Sequence, residues 1–230
     1  MSKFSLKEIT NDNYSLFHNN KPFKTFKGKN IYIFKIKSKS EFIKKISNEF
    51  TYKNSNFMKL LFFSNDIDEK YRKVIINEIL NHIDTDTVCF RSSNKNHLKK
   101  LETKRWDNYL DFCNKYLSLN YHVNYTIILK KQKKEIHNKI FKTINSMNSY
   151  TLTAFYFLVT LTNSIIISLN VLFSNTNIDS AWKDSNLEYE YNQNLWGKDD
   201  EYTKNFLLKK SFFIDIINFI SFFDRKIYEG

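Results

Sequence analysis

Short aromatic and β-branched runs open the chain. YSLFH (14–18), PFKTF (22–26) and IYIFKI (31–36) are separated by an Asn-rich NNK and by KGKN with Gly28, so they predict a three-stranded antiparallel meander. SKSE, Ser38 to Glu41, is a capping box, and Phe42, Ile43, Ile46 and Phe50 behind it fall on one helical face. From about residue 59 the period is helical. Tyr71, Val74, Ile75, Ile79 and Ile83 form one stripe, and Trp106, Leu110, Cys113 and Leu117 form another. YHVNYTIIL (121–129) is too β-branched for a helix and is expected to be extended; EIHNKIFKTINSM (135–147) resumes helix. The chain then runs from Thr143 to Ile178 without a charge. That is long enough to cross a bilayer, but Thr160, Thr162, Asn163, Ser164, Ser168 and Asn170 crowd its middle. The expectation is one buried helix with Ala154, Leu158, Leu161, Ile165, Leu169 and Leu172 on its stripe. NFLLKKSFFIDIINFISFF (205–223) predicts a last, strongly apolar helix.

Composition fits a chain able to bury a large core: 230 residues, 42% hydrophobic and 17% aromatic, with three glycines and one proline. The opening MSKFSLKEITNDN is polar and is no signal peptide, which points to a bacterial cytoplasm, or to the mitochondrial matrix for a eukaryotic chain. Formal charge is +12, but 32 of the 36 basic residues are lysine, whereas base readout and bidentate phosphate contacts favour arginine. The lysine runs at 99–105 and 129–135 read as solvated helix faces. A basic nucleic-acid- or membrane-surface-binding protein is therefore the alternative function.

Catalytic patterns are missing. The five histidines show neither HExxH nor HxH, there is no GxSxG, and three glycines cannot build a phosphate-cradling loop. No enzyme activity, cofactor or metal is expected. Asp84 and Asp86 in DTDT follow a helix end, where such residues satisfy turn and cap groups. Cys89 and Cys113 are read as buried, reduced thiols. Against the basic background stands an acidic island. From Asp184 to Glu201 the acids are Asp184, Glu188, Glu190, Asp199, Asp200 and Glu201, with Lys198 the one base.

Four stretches carry a resemblance: DTDTVCFR (84–91), LETKRWDNYLDF (101–112), LTAFYFLVTLTNSIIISL (152–169) and AWKDSNLEYEYNQNLWG (181–197). In this order and spacing the chain resembles the assembly chaperones of the F-type ATP synthase α subunit, the ATP-synthase assembly factor 2 family. Asp84, Asp86, Cys89, Arg91, Trp106, Asp107 and Gly197 match the family's structural motif. Asn192 and Glu102 stand where the family usually has Gln, Asn108 where it has Pro, and Tyr189 where it has an acid. The resemblance implies an α+β fold, with a small antiparallel β-rich N-terminal domain (1–58) and a larger orthogonal α-helical bundle (59–230). It implies a monomeric molecular chaperone that binds unassembled α subunit and holds it for the β subunit without hydrolysing ATP, and that takes neither nucleic acid nor a place in the membrane.

Glu188, Glu190, Tyr191 and Trp196 are the expected client contacts, because the family's functional acidic position falls in this stretch. Trp196 fits a core position equally well. Gly197 is expected at the left-handed position after the helix. Arg91 is expected to pair with Asp86 or with an acid of the 184–201 island.

Overall fold

The computed structural model describes residues 3–51, 54–92, 97–126, 128–197 and 200–223, with the side chains of 200–202 left aside. The fold is α+β. Four strands open it: β1 (Phe4–Thr10), β2 (Asn13–His18), β3 (Lys21–Pro22) and β4 (Tyr32–Phe34). All pairing is antiparallel and centres on β2, with β1 on one side and β3 and β4 sharing the other. The expected meander is thus present but incomplete. PFKTF supplies a two-residue strand, IYIFKI a three-residue one, and the longest strand, β1, lies in the stretch read as a polar lead. Its signal is weak because it is an edge. Only Phe4 in it is buried, while Lys7 extends over the Phe17 ring at 4.2 Å and Glu8 pairs with Lys39 at 3.8 Å. Charged side chains of this kind keep an edge strand from adding a neighbour.

Helices follow: α1 (Lys39–Glu49), α2 (Asn56–Asp66), α3 (Glu69–Leu80), α4 (His97–Leu117), α5 (Lys134–Ser146), α6 (Ser149–Thr162), α7 (Ile165–Leu172), α8 (Ile178–Ser185), α9 (Leu187–Trp196) and α10 (Asp200–Ser221). Ser38 caps α1 by accepting from Glu41 N–H, as its capping box predicts. The face of α3 is turned from its expected stripe: Ile75, Ile76 and Ile79 are buried and Val74 is exposed. The described residues of the 121–129 stretch form no helix, and Asn124 bridges Phe90 in parallel.

An aromatic seam joins sheet to helices. Tyr150 of α6 stacks on Phe223 at 4.0 Å, Phe57 of α2 meets Phe219 of α10 at 5.4 Å, and Phe42 of α1 meets both Phe57 and Phe223. The Tyr150 hydroxyl donates to the Tyr32 carbonyl and accepts from Asn65, whose own oxygen accepts from Tyr32 N–H at 2.8 Å. This knot satisfies polar atoms at the seam where otherwise only apolar rings meet.

The charge-free segment is two helices, not one. Asn163 takes a left-handed conformation (φ 50, ψ 29) and ends α6, and Ser164 caps α7 by accepting from Ile167 N–H at 3.0 Å. Its polar residues serve that break. Thr162 Oγ1 donates to Leu158 O and accepts from Ser164 N–H, and Ser168 Oγ donates to Ser164 O at 2.7 Å. Among the described residues no helix is long and apolar enough to cross a membrane. The exposed side chain of Asn163 isolates its backbone role. Asn163→Val is expected to lower stability by about 1–2 kcal/mol and Asn163→Gly to leave it nearly unchanged, as read by urea melts. Equal stability of the two variants would contradict the left-handed break.

Candidate functional site

The acidic island is built on three helices whose inner side is firmly seated. Trp182 of α8 packs between Phe206 (5.2 Å) and Phe213 (5.3 Å) of α10, and Leu187 opens α9 with its side chain buried. Asp184 points inward. It accepts from the Tyr109 hydroxyl at 2.7 Å, and Arg105 Nε lies 2.6 Å from its Oδ1. Burial pushes its carboxyl above the ordinary range. The island therefore divides. Asp184 is a buried tie to α4, Glu190 is half-buried, and Glu188 is exposed. Asp199 lies outside the described residues, as do the side chains of Asp200 and Glu201.

The four expected contact residues do not share one face. Tyr191 stacks on His97 at the start of α4 (6.0 Å), and Glu188 lies near the buried Glu102 of the same helix. Glu190 faces the other way, into a groove of about 340 Å³ between α9 and α10, lined also by Tyr189, Gln193, Asn194, Phe206 and Leu207. Burial raises the Glu190 carboxyl above its usual range, and the nearby Arg105, Lys183 and Lys210 work against that shift.

Trp196 is 86% exposed, which removes the core position for it, and Leu195 beside it is 58% exposed. Gly197 follows at positive φ (98) with an extended ψ (168) and donates its N–H to Gln193 O at 3.0 Å. The ψ differs from the left-handed helical value, but the positive φ still suits glycine. Leu207 and Leu208 of α10, exposed across the groove, were missed in the sequence. A signal for them exists. Phe213, Ile216, Ile217 and Ile220 define the buried stripe, and counting seven residues back from Phe213 gives Phe206, leaving Leu207 and Leu208 off the stripe.

Behind this face lie the other motif residues. Asp86 is fully buried and holds the start of α7: its Oδ1 accepts from Ser164 Oγ at 2.7 Å and from Val88 N–H at 3.1 Å, and its Oδ2 accepts from Ile166 N–H at 3.0 Å. Asp84 accepts from Gln132 N–H at 2.8 Å and lies 3.0 Å from His137 Nε2. Among the described residues Arg91 pairs with neither Asp86 nor an acid of the island. Its buried guanidinium donates to Asp107 at 3.0 Å and to the Val88 and Phe90 carbonyls, and it lies 5.1 Å from the centre of the Trp106 ring. Asp107, the residue after Trp106 on α4, takes the charge that an acid of the island was expected to take.

Trp106 Nε1 donates to the Asp184 carbonyl at 2.9 Å. Arg91, Trp106 and Asp184 thus form a continuous stack, and it ends where α8 hands over to α9. Cys89 and Cys113 are free and buried, and burial pushes both thiols up. Among the described residues no group of three His, Cys, Asp or Glu could hold a metal ion. What this arrangement offers is a groove holding the half-buried carboxyl of Glu190 beside Leu207, with Leu195, Trp196 and Leu208 exposed elsewhere on the same two helices.

The family model described as ATP12 chaperone protein matches residues 3–114. The matched residues end before α8, so the groove lies beyond them. The mitochondrial protein atp12 of Schizosaccharomyces pombe is 30% identical over 135 residues, which are 55% of this chain and 45% of that protein. The match thus spans under half the length of that curated relative. Among solved structures, Atp12 from Paracoccus denitrificans superposes with a TM-score of 0.85 at 16% identity, covering 96% of this chain and 96% of that one. The Atu1473 protein of Agrobacterium tumefaciens gives 0.84 at 16% identity, covering 96% and 84%. These two likenesses are of fold. The family model thus covers just under half of the chain, and the fold is shared with the Paracoccus structure along almost all its length.

Proposed function

We propose that the protein is a chaperone of ATP synthase assembly that holds the unassembled α subunit of the F-type enzyme until the β subunit takes it over, acting by binding and without ATP hydrolysis. Its compartment is then the mitochondrial matrix of a eukaryote or the cytoplasm of a bacterium. The match of the ATP12 chaperone model to residues 3–114 supports the class of function, and the resemblance of the ordered motifs supports the client. The observation that carries the reading is the exposed Trp196 at the end of α9, the helix that forms one wall of the α9–α10 groove. A large aromatic left in solvent on the same helix as a half-buried acid has the parts of a binding hot spot, and a subunit waiting for its partner exposes an apolar surface that such parts can cover.

Of the two acids, Glu190 is the one on the groove. Glu190→Lys should weaken holding of isolated α subunit by about 2–5 kcal/mol, roughly thirty-fold or more in affinity. Glu188→Lys should weaken it far less. It should leave melting unchanged or slightly raised, because it removes a like charge from beside Glu102. Suppression of α-subunit aggregation, titrated with wild type and each variant, reads the first effect, and thermal melting reads the second. If both variants hold the client as wild type does, the groove is not its seat. If Glu190→Lys melts much lower, the acid is structural.

A further inference from the structure

We propose that the loop between α4 and α5 is a peripheral docking point for an anionic lipid surface. It stands apart from the α9–α10 groove and does not rest on the client reading.

The loop has a built root and an unpacked tip. At the root Gln132 is buried. Its amide donates to His122 O at 2.8 Å, accepts from His122 N–H at 2.7 Å, and its backbone N–H donates to Asp84 at 2.8 Å. Asn124 is tied on the other strand, donating to Cys89 O at 2.7 Å and accepting from Arg91 N–H at 2.9 Å. Beyond these ties the described side chains turn to solvent: Ile128 is 77% exposed, and Tyr125 and Leu129 are exposed as well.

Large aliphatic side chains at the tip of a rooted loop gain nothing from the fold, and the root fixes them in place before any partner arrives. Their surroundings select the partner. From Phe112 to Lys134 the sequence contains no acid and five lysines, four of them (Lys130, Lys131, Lys133 and Lys134) directly behind the tip and exposed. Lys99 adds its charge over the Tyr125 ring at 4.9 Å. The nearest acids are engaged, Asp84 at the root and Glu135 with Lys139 at 2.9 Å.

Aliphatic residues that can enter the acyl boundary, with a collar of flexible ammonium groups at headgroup height, match an anionic bilayer surface. A nucleic-acid groove would instead call for aromatic platforms and arginine, and the loop offers one Tyr and no Arg.

The test is flotation of the full chain with vesicles of phosphatidylcholine alone, or with about one third phosphatidylserine. Binding is expected to the anionic vesicles only and to fall with salt. Both Ile128→Asp/Leu129→Asp and Lys130→Glu/Lys131→Glu should reduce it by about tenfold or more. Leu129→Trp in the otherwise unchanged chain supplies a fluorescent reporter that does not depend on those variants folding, and with anionic vesicles its emission should shift to the blue beyond any shift of the wild-type chain, whose Trp106, Trp182 and Trp196 also emit. Absence of flotation overturns the proposal. So does equal flotation of Ile128→Asp/Leu129→Asp, which would mean that net charge alone binds. An emission shift of the Leu129→Trp chain produced by a single-stranded oligonucleotide and not by vesicles would assign the loop to nucleic acid and overturn it too.

Discussion

Replacing Asp86 by alanine is expected to destabilise the protein by about 3–5 kcal/mol and to lower its Tm by about 10 °C. Three donors, on Ser164, Val88 and Ile166, would be left buried without an acceptor, and the start of α7 would lose its anchor. The effect should depend on pH in a set direction. Burial pushes the Asp86 carboxyl up to about 6, from an ordinary 3.8. A carboxyl that holds its proton more tightly when folded adds stability that is fully present below the unfolded value and is lost as pH rises through the folded one. The gap between wild type and Asp86→Ala should therefore widen as pH falls from 7 toward 4, by up to about 3 kcal/mol. Melting curves of both proteins at several pH values decide this. A gap that narrows on acidification would place the carboxyl below its ordinary range and make the three hydrogen bonds, rather than burial, its dominant influence.

Trp196→Ala is expected to weaken holding of the α subunit by about 2–4 kcal/mol, thirty-fold or more, while leaving Tm within about 1 °C of wild type. The two readouts separate because the indole is almost wholly in solvent and so contributes little to the fold. Binding is best followed by titrating isolated α subunit. Unchanged affinity would remove Trp196 from the client contact, and a lower Tm would mean that the ring is packed in solution.

Much of the fold was legible because single elements carried their own signals. Ser38 and Glu41 announced α1, and the 3–4 spacing of Trp106, Leu110 and Cys113 announced α4. Two elements escaped. β1 is an edge with charged outer positions and lacks the alternation that marks a half-buried strand. The split between α6 and α7 was hidden because its polar residues, Thr162, Asn163 and Ser164, looked like blemishes in one apolar run, when they are the cap and turn of two. At the site, composition pointed to the right stretch but could not orient it. Asp184, Glu188 and Glu190 are close in sequence and face three environments, because Asp184 lies on α8 and the other two, on α9, are two apart and so point to different sides of that helix. Arg91 found a partner only sixteen positions away, Asp107, since the bend after Cys89 lays it along α4.

The backbone bridge between Ile36 and Phe223, with Lys37 N–H donating to Phe222 O at 3.0 Å, has a bearing on synthesis. The strands and α1 are made early, yet the aromatic seam that covers them is completed by α10. A ribosome releasing the chain from its N-terminus would expose Phe42, Phe57 and Tyr150 until residue 223 had left the exit tunnel. Contacts spanning nearly two hundred residues also carry a large loop-closure cost, so folding should be slow and sensitive to loss of the last helical turn. On the proposed function, a protein that shelters another's unpaired surface would thus pass through a stage, during its own translation, when it has the same need.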